Sequence, residues 1–127
     1  MRADTPRVAG FHHVQITVPV GAETAARAFY VDLLGLPEIP KPASLAGRGG
    51  LWLSAGPIQL HIGVEDGIDR TATRAHVAFS VTNLPAWRVR LESAGCTILD
   101  SIAIPGHLRL ETRDPFGNRL ELIDRAR

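Results

Sequence analysis

Apolar and polar residues alternate strictly over residues 11–18. Phe11, His13, Gln15 and Thr17 fall on one side of an extended chain, and His12, Val14, Ile16 and Val18 on the other. The period then changes. From Gly21 to Leu34 the apolar residues Ala22, Ala25, Ala26, Phe29, Tyr30, Leu33 and Leu34 recur at helical spacing, and Gly35 is placed to end the helix in a left-handed turn. Three prolines between Leu36 and Pro42 restrict any strand there to a short edge segment, and residues 43–50 read as loop. Leu51-Trp52-Leu53, a turn at Ala55-Gly56-Pro57, and an alternating run from Ile58 to Val64 complete a β-α-β-β-β order.

A polar, irregular segment over 65–74 follows as a connector, and the same order starts again. Ala75-His76-Val77-Ala78-Phe79-Ser80-Val81 repeats the pattern of His12–Val18. Asn83 is a good N-cap, Pro85 lies in the first turn, Trp87 and Leu91 share a helical face, and Gly95 closes the helix. Thr97–Leu99 reads as a short strand and His107–Thr112 as a longer one. Asp114-Pro115-Phe116-Gly117-Asn118 is a turn, and Arg119–Ile123 is the last strand. His13 and His76 lie 63 positions apart, while Gly35 to Gly95 and His61 to Glu121 are each 60, differences that loops absorb. The chain therefore reads as one α+β domain over 1–127. Module one spans about 11–64, the connector 65–74, and module two about 75–124.

Composition narrows the function. The length suits a single core. A net charge of +1 without a basic stripe points away from nucleic acid. No run approaches the ~20 apolar residues of a membrane span, and the first ten residues lack the apolar core of a signal peptide. The lone Cys96 excludes an intrachain disulfide and suits a reducing compartment, so a cytoplasmic location is expected.

Sorting each strand by face locates the chemistry. Gln15 and Thr17 accompany His13, Gln59 and Gly63 accompany His61, and Ala78 and Ser80 accompany His76. Arg119 accompanies Glu121, and the opposite face of every one of these strands is apolar. His13, His61, His76 and Glu121 thus fall at matching places in the two halves. Three imidazoles and one carboxylate suit a divalent first-row ion such as zinc, nickel, cobalt, manganese or iron. One carboxylate leaves such a centre positive, able to hold an oxygen-chelating substrate. His12, on the face of Val14, reads as a strand-margin residue. His107 shares a face with Arg109 and Glu111, where lining the cavity and simple solvation both remain open.

The chain resembles the glyoxalase/bleomycin resistance/extradiol dioxygenase superfamily, the vicinal oxygen chelate proteins. The resemblance rests on His13-Val14, on Ala28-Phe29-Tyr30 through Leu34-Gly35-Leu36, on His76-Val77, and on Asp114-Pro115-Phe116-Gly117-Asn118 with Leu120-Glu121. It implies paired βαβββ modules in a curled eight-stranded mixed sheet, a funnel around a metal held by His13, His76 and Glu121. In some members a fourth ligand stands where this chain has His61. It also implies a homodimer, with the modules of one site drawn from one chain or from two.

Among the activities of that superfamily, a metal-dependent glyoxalase-like lyase or isomerase is the leading expectation. Its substrate would be a small molecule chelating the metal through vicinal oxygens. Glu121 would move the proton, Gln15, Arg109 and Arg119 would contact or steer the substrate, and Phe11 and Trp52 would supply an apolar wall. His61 stands where glyoxalase I enzymes generally carry Glu, which argues against a two-carboxylate mechanism. An iron(II) extradiol-type dioxygenase using His13, His76 and Glu121 is one alternative. A thiol transferase or sequestering resistance protein is another, although sequestering members lack the ligands and fosfomycin-type transferases usually carry Thr in place of Gln15.

Overall fold

The computed structural model describes residues 4–126. Strand β1 (His13–Val18) leads into helix α1 (Glu23–Ala26), which continues as a π-helical segment over Arg27–Leu33. Gly35, at φ +79°, then turns the chain where a side chain would be strained. Next come a two-residue edge strand β2 (Glu38–Ile39), a 3₁₀ segment (Ala43–Arg48), β3 (Leu51–Ala55) and β4 (Ile58–Val64). The second half consists of β5 (His76–Ser80), α2 (Leu84–Ser93), β6 (His107–Arg113) and β7 (Arg119–Arg125). Asn83 caps α2, its side chain accepting the Ala86 N–H at 3.4 Å.

The strands form two sheets, one ordered β1-β4-β3-β2 and the other β5-β7-β6, in place of a single curled sheet of eight. The segment expected as a strand at Thr97–Leu99 contributes only a bridge between Leu99 and Glu111. Gly95 and Pro105 bracket it, and the residues after Leu99 leave the sheet for an exposed loop, so no ladder builds up there. Each module pairs its first strand in parallel with its last, β1 with β4 and β5 with β7, which makes the repeat a property of the topology.

The strand faces sort as the alternation requires. Val18, Leu51, Leu53, Leu60 and Ile62 turn inward and pack with Phe29 and Tyr30 of the first helix. Leu110 and Leu122 pack with Leu84 and Leu91 of α2. Leu120 of module two belongs to the module-one core, so the halves share an apolar seam. A polar tie crosses the same seam. The buried Tyr30 hydroxyl donates to Asp114 Oδ2 at 2.5 Å, and Asn118 Nδ2 donates to the carbonyl of Thr17 at 2.9 Å. No described helix is long and apolar enough to cross a membrane.

Candidate metal half-sites

Register explains which polar side chains meet. In module one, Gln15 lies opposite His61 on β4, and Trp52 of β3 lies opposite His61 from the other side, so His13, His61, Gln59 and Trp52 share one face. His61 is only 4 % exposed and sits in a three-ring stack. Its centroid is 3.9 Å from Trp52 at 7° and 4.0 Å from His13 at 12°. Its Nε2 donates to Gln59 Oε1 at 2.8 Å. Burial first, then the neighbouring His13 and His12 rings, lowers the His61 pKa below its ordinary value. Both effects favour the neutral ring, and a neutral ring that donates from Nε2 leaves Nδ1 as its acceptor nitrogen.

In module two, Glu111 and Glu121 stand directly opposite one another on β6 and β7. Two carboxylates so placed repel unless each has its own cation. The diagonal neighbours supply them. Arg119 on β7 forks onto Glu111, with Nε donating at 3.0 Å and Nη2 at 2.8 Å, and Arg109 on β6 donates from Nη1 to Glu121 Oε1 at 2.8 Å. The Arg119 guanidinium is the leading reason the Glu111 carboxyl lies below the usual carboxylate range. His76 approaches from β5. Its Nδ1 donates to the Arg74 carbonyl at 2.9 Å, and its Nε2 lies 3.6 Å from Glu121 Oε1.

That last arrangement bears on metal binding. With Nδ1 donating to the Arg74 carbonyl, Nε2 is the ring nitrogen that faces the carboxylate oxygen, and a nitrogen and an oxygen so spaced can share a cation. Two bonds of about 2.1 Å meeting at a tetrahedral angle would separate their donor atoms by about 3.4 Å. The carbonyl on the far ring nitrogen is the usual support of a metal-binding histidine. His76 and Glu121 therefore fit as neighbouring ligands of one divalent ion.

The four expected ligands do not gather in one chain. His13 pairs with His61 and His76 pairs with Glu121. Among the described residues no three His, Cys, Asp or Glu side chains are grouped to hold a metal. The physical reason is the division into two sheets, because each sheet assembles only its own pair.

The other expected residues are spread across the structure. Gln15 is exposed on β1 beside His13, and Phe11 lies before the strand at 82 % exposure, outside any wall. Trp52 lines module one through the ring stack, while Arg109 and Arg119 are committed to the two glutamates. His12 sits ahead of β1 with its Nδ1 2.9 Å from that of His13, and His107 is exposed at the start of β6. The alternation placed Gln59 on the His61 face without giving it a role, and it did not single out the Arg74 carbonyl. The i, i+2 spacing of Gln59 and His61 on one strand face was the signal for the first, whereas a backbone acceptor leaves none. A cleft of about 620 Å³ opens elsewhere, on the apolar side, between Val14 and Leu60 of module one and Val77, Phe79 and Trp87 of module two.

A model of the Glyoxalase/Bleomycin resistance protein/Dioxygenase superfamily matches residues 10–122. The chain belongs to that superfamily. Among solved structures, a putative glyoxalase family protein from Bacillus anthracis is 41 % identical with a TM-score of 0.88, covering 96 % of this chain and 99 % of that one. Lactoylglutathione lyase from Agrobacterium tumefaciens is 19 % identical with a TM-score of 0.71, covering 94 % and 96 %. The fosfomycin resistance protein FosX from Listeria monocytogenes is 16 % identical with a TM-score of 0.74, covering 94 % and 96 %. At those identities the last two attest to the fold. No match was found among curated protein sequences. Members of the superfamily generally use divalent metal ions, bind small molecules and often form dimers.

Proposed function

We propose that the protein is a metal-dependent, glyoxalase-like lyase or isomerase acting on a small substrate with vicinal oxygens. The observation that carries this reading is the His76–Glu121 pair, with Nε2 and Oε1 3.6 Å apart and the far ring nitrogen fixed by a carbonyl. His76 and Glu121 would hold the ion. His13 and His61 would complete the set from the module of a second copy in a homodimer, since one chain keeps the two pairs apart. When bound, the metal supplies Lewis acidity toward paired substrate oxygens.

The protein's own groups would do the remainder. Glu121 would accept and return a proton. Arg119, whose guanidinium is already oriented by Glu111, would steer an anionic substrate group. Trp52 would shield one side of the site from water.

A second reading has a specific observation in its favour. His61 is engaged by Trp52, His13 and Gln59, which supports a ligand set of His13, His76 and Glu121 alone. Two histidines and one carboxylate are the facial triad of non-haem iron oxygenases. Elemental analysis of the purified protein, followed by anaerobic reconstitution with Fe²⁺ and oxygen uptake on catechols, separates the two. Uptake would displace the lyase reading. Isomerisation of a small dicarbonyl adduct with Ni²⁺ or Zn²⁺, and no uptake, would uphold it.

A further inference from the structure

Arg109 does two things with one planar fork. Its Nη1 donates to Glu121 Oε1 at 2.8 Å, and its Nε, at 2.8 Å, and Nη2 donate to the backbone carbonyl of Ile102. Ile102 lies in the loop between the Leu99 bridge and β6, with its own side chain 87 % exposed, so packing gives that part of the loop little support. The loop ends are tied by backbone bonds, Leu99 to Glu111 at one end and the Gly106 carbonyl accepting from Ala126 N–H at the other. Arg109 ties the middle.

The oxygen it uses is the one that faces His76. Oε1 of Glu121 accepts Nη1 at 2.8 Å and stands 3.6 Å from His76 Nε2. A divalent cation seated between His76 and Glu121 would compete with the guanidinium for that oxygen, and the two positive charges would repel.

We infer that Arg109 is a positioning residue that straps the 100–104 loop to Glu121, so that cation binding at Glu121 loosens the loop. The coupling is reciprocal, and a strapped loop weakens cation binding by the factor with which the cation weakens the strap. The coupling to a cation rests on the proposed metal reading, whereas the strap does not.

Hydrogen exchange of backbone amides at 101–104, with and without Mn²⁺, tests this on the full chain as wild type, Arg109→Met and Arg109→Lys. Without metal, Arg109→Met should exchange there about tenfold faster than wild type, with the core amides of β7 unchanged. Saturating Mn²⁺ should bring wild type toward the variant and leave the variant where it is, while the variant binds Mn²⁺ about tenfold more tightly. Arg109→Lys, whose single ammonium can satisfy the carboxylate but not the fork, should exchange as fast as the Met variant and bind Mn²⁺ with an affinity between those of wild type and the Met variant. It also decides the matter if the Met variant fails to fold. Wild-type exchange rates in both metal-free variants would overturn the strap. Bound Mn²⁺ with an unmoved wild-type loop would overturn the coupling. Mn²⁺ binding to none of the three proteins would count against the metal reading and the coupling, and the metal-free comparison would still decide the strap.

Discussion

Replacing Asp114 with Ala removes the acceptor on which the seam between the modules depends. Its carboxylate is 5 % exposed and takes four donors. Phe116 N–H at 2.9 Å and Asn118 N–H at 2.8 Å bind Oδ1, and the Tyr30 hydroxyl at 2.5 Å and Asn118 Nδ2 at 2.8 Å bind Oδ2. Tyr30 is fully buried, so its hydroxyl would be left without a partner, a cost of about 1–3 kcal/mol. Loss of the charge-assisted bonds that close the β6–β7 turn adds about 2 kcal/mol. The expected destabilisation is about 3–5 kcal/mol, a fall in Tm of about 10–20 °C for a chain of this size. Tyr30→Phe deletes one bond and leaves Asp114 with three donors, so about 1–2 kcal/mol is expected. Urea unfolding followed by circular dichroism measures both, and the double variant should show a coupling of about 1–2 kcal/mol. A second signature lies at alkaline pH. Burial, then Asp114, holds the Tyr30 phenol well above its ordinary value. The neutral phenol therefore stabilises the fold below pH 10, and that stability is lost as pH rises through the folded pKa. Tyr30→Phe should lack this loss. An Asp114→Ala variant within about 0.5 kcal/mol of wild type would refute the reasoning.

Two further substitutions probe other parts of the structure. Gly50 has φ +78°, and a Cβ there would lie 2.0 Å from the carbonyl oxygen of Ile62, so Gly50→Ala should cost more than about 3 kcal/mol or abolish folding, read by thermal melting. The Glu111 carboxyl is lowered chiefly by its bond to Arg119. Below about pH 4.5 the unfolded chain therefore takes up protons more readily than the folded one, and stability falls as pH drops through the folded pKa. In Glu111→Gln this acid-side slope should be shallower across pH 5 to 3.

The face assignments were legible in the sequence because a strand has a period of two and each strand has one apolar side. Val14, Ile16 and Val18 had to turn inward, which left His13 and Gln15 on the other face, and register bears this out on both sheets. The two βαβ beginnings were equally plain, since Gly35, Asn83 and Gly95 act through local backbone geometry. How the sheets meet was not legible. Alternation states which face a residue occupies but carries no information on which other face it confronts, so one funnel of eight strands and two separate sheets share one pattern. Thr97–Leu99 had the composition of a strand, but the exposed loop beyond it leaves only a bridge. The Arg109 fork was hidden for a related reason. Its backbone partner on β7 is Ile123, and the long side chain reaches diagonally to Glu121 and out to a loop carbonyl.

His76 is the residue on which the proposed metal site depends most directly. Titrating Mn²⁺ and Zn²⁺ into metal-stripped wild type and His76→Ala, with bound metal quantified by elemental analysis and fold by circular dichroism, should give about one ion per chain for wild type. The variant should keep its spectrum and lose at least about tenfold in affinity. Equal metal content in a folded His76→Ala variant would contradict the assignment of His76 and Glu121 as the core of a metal site.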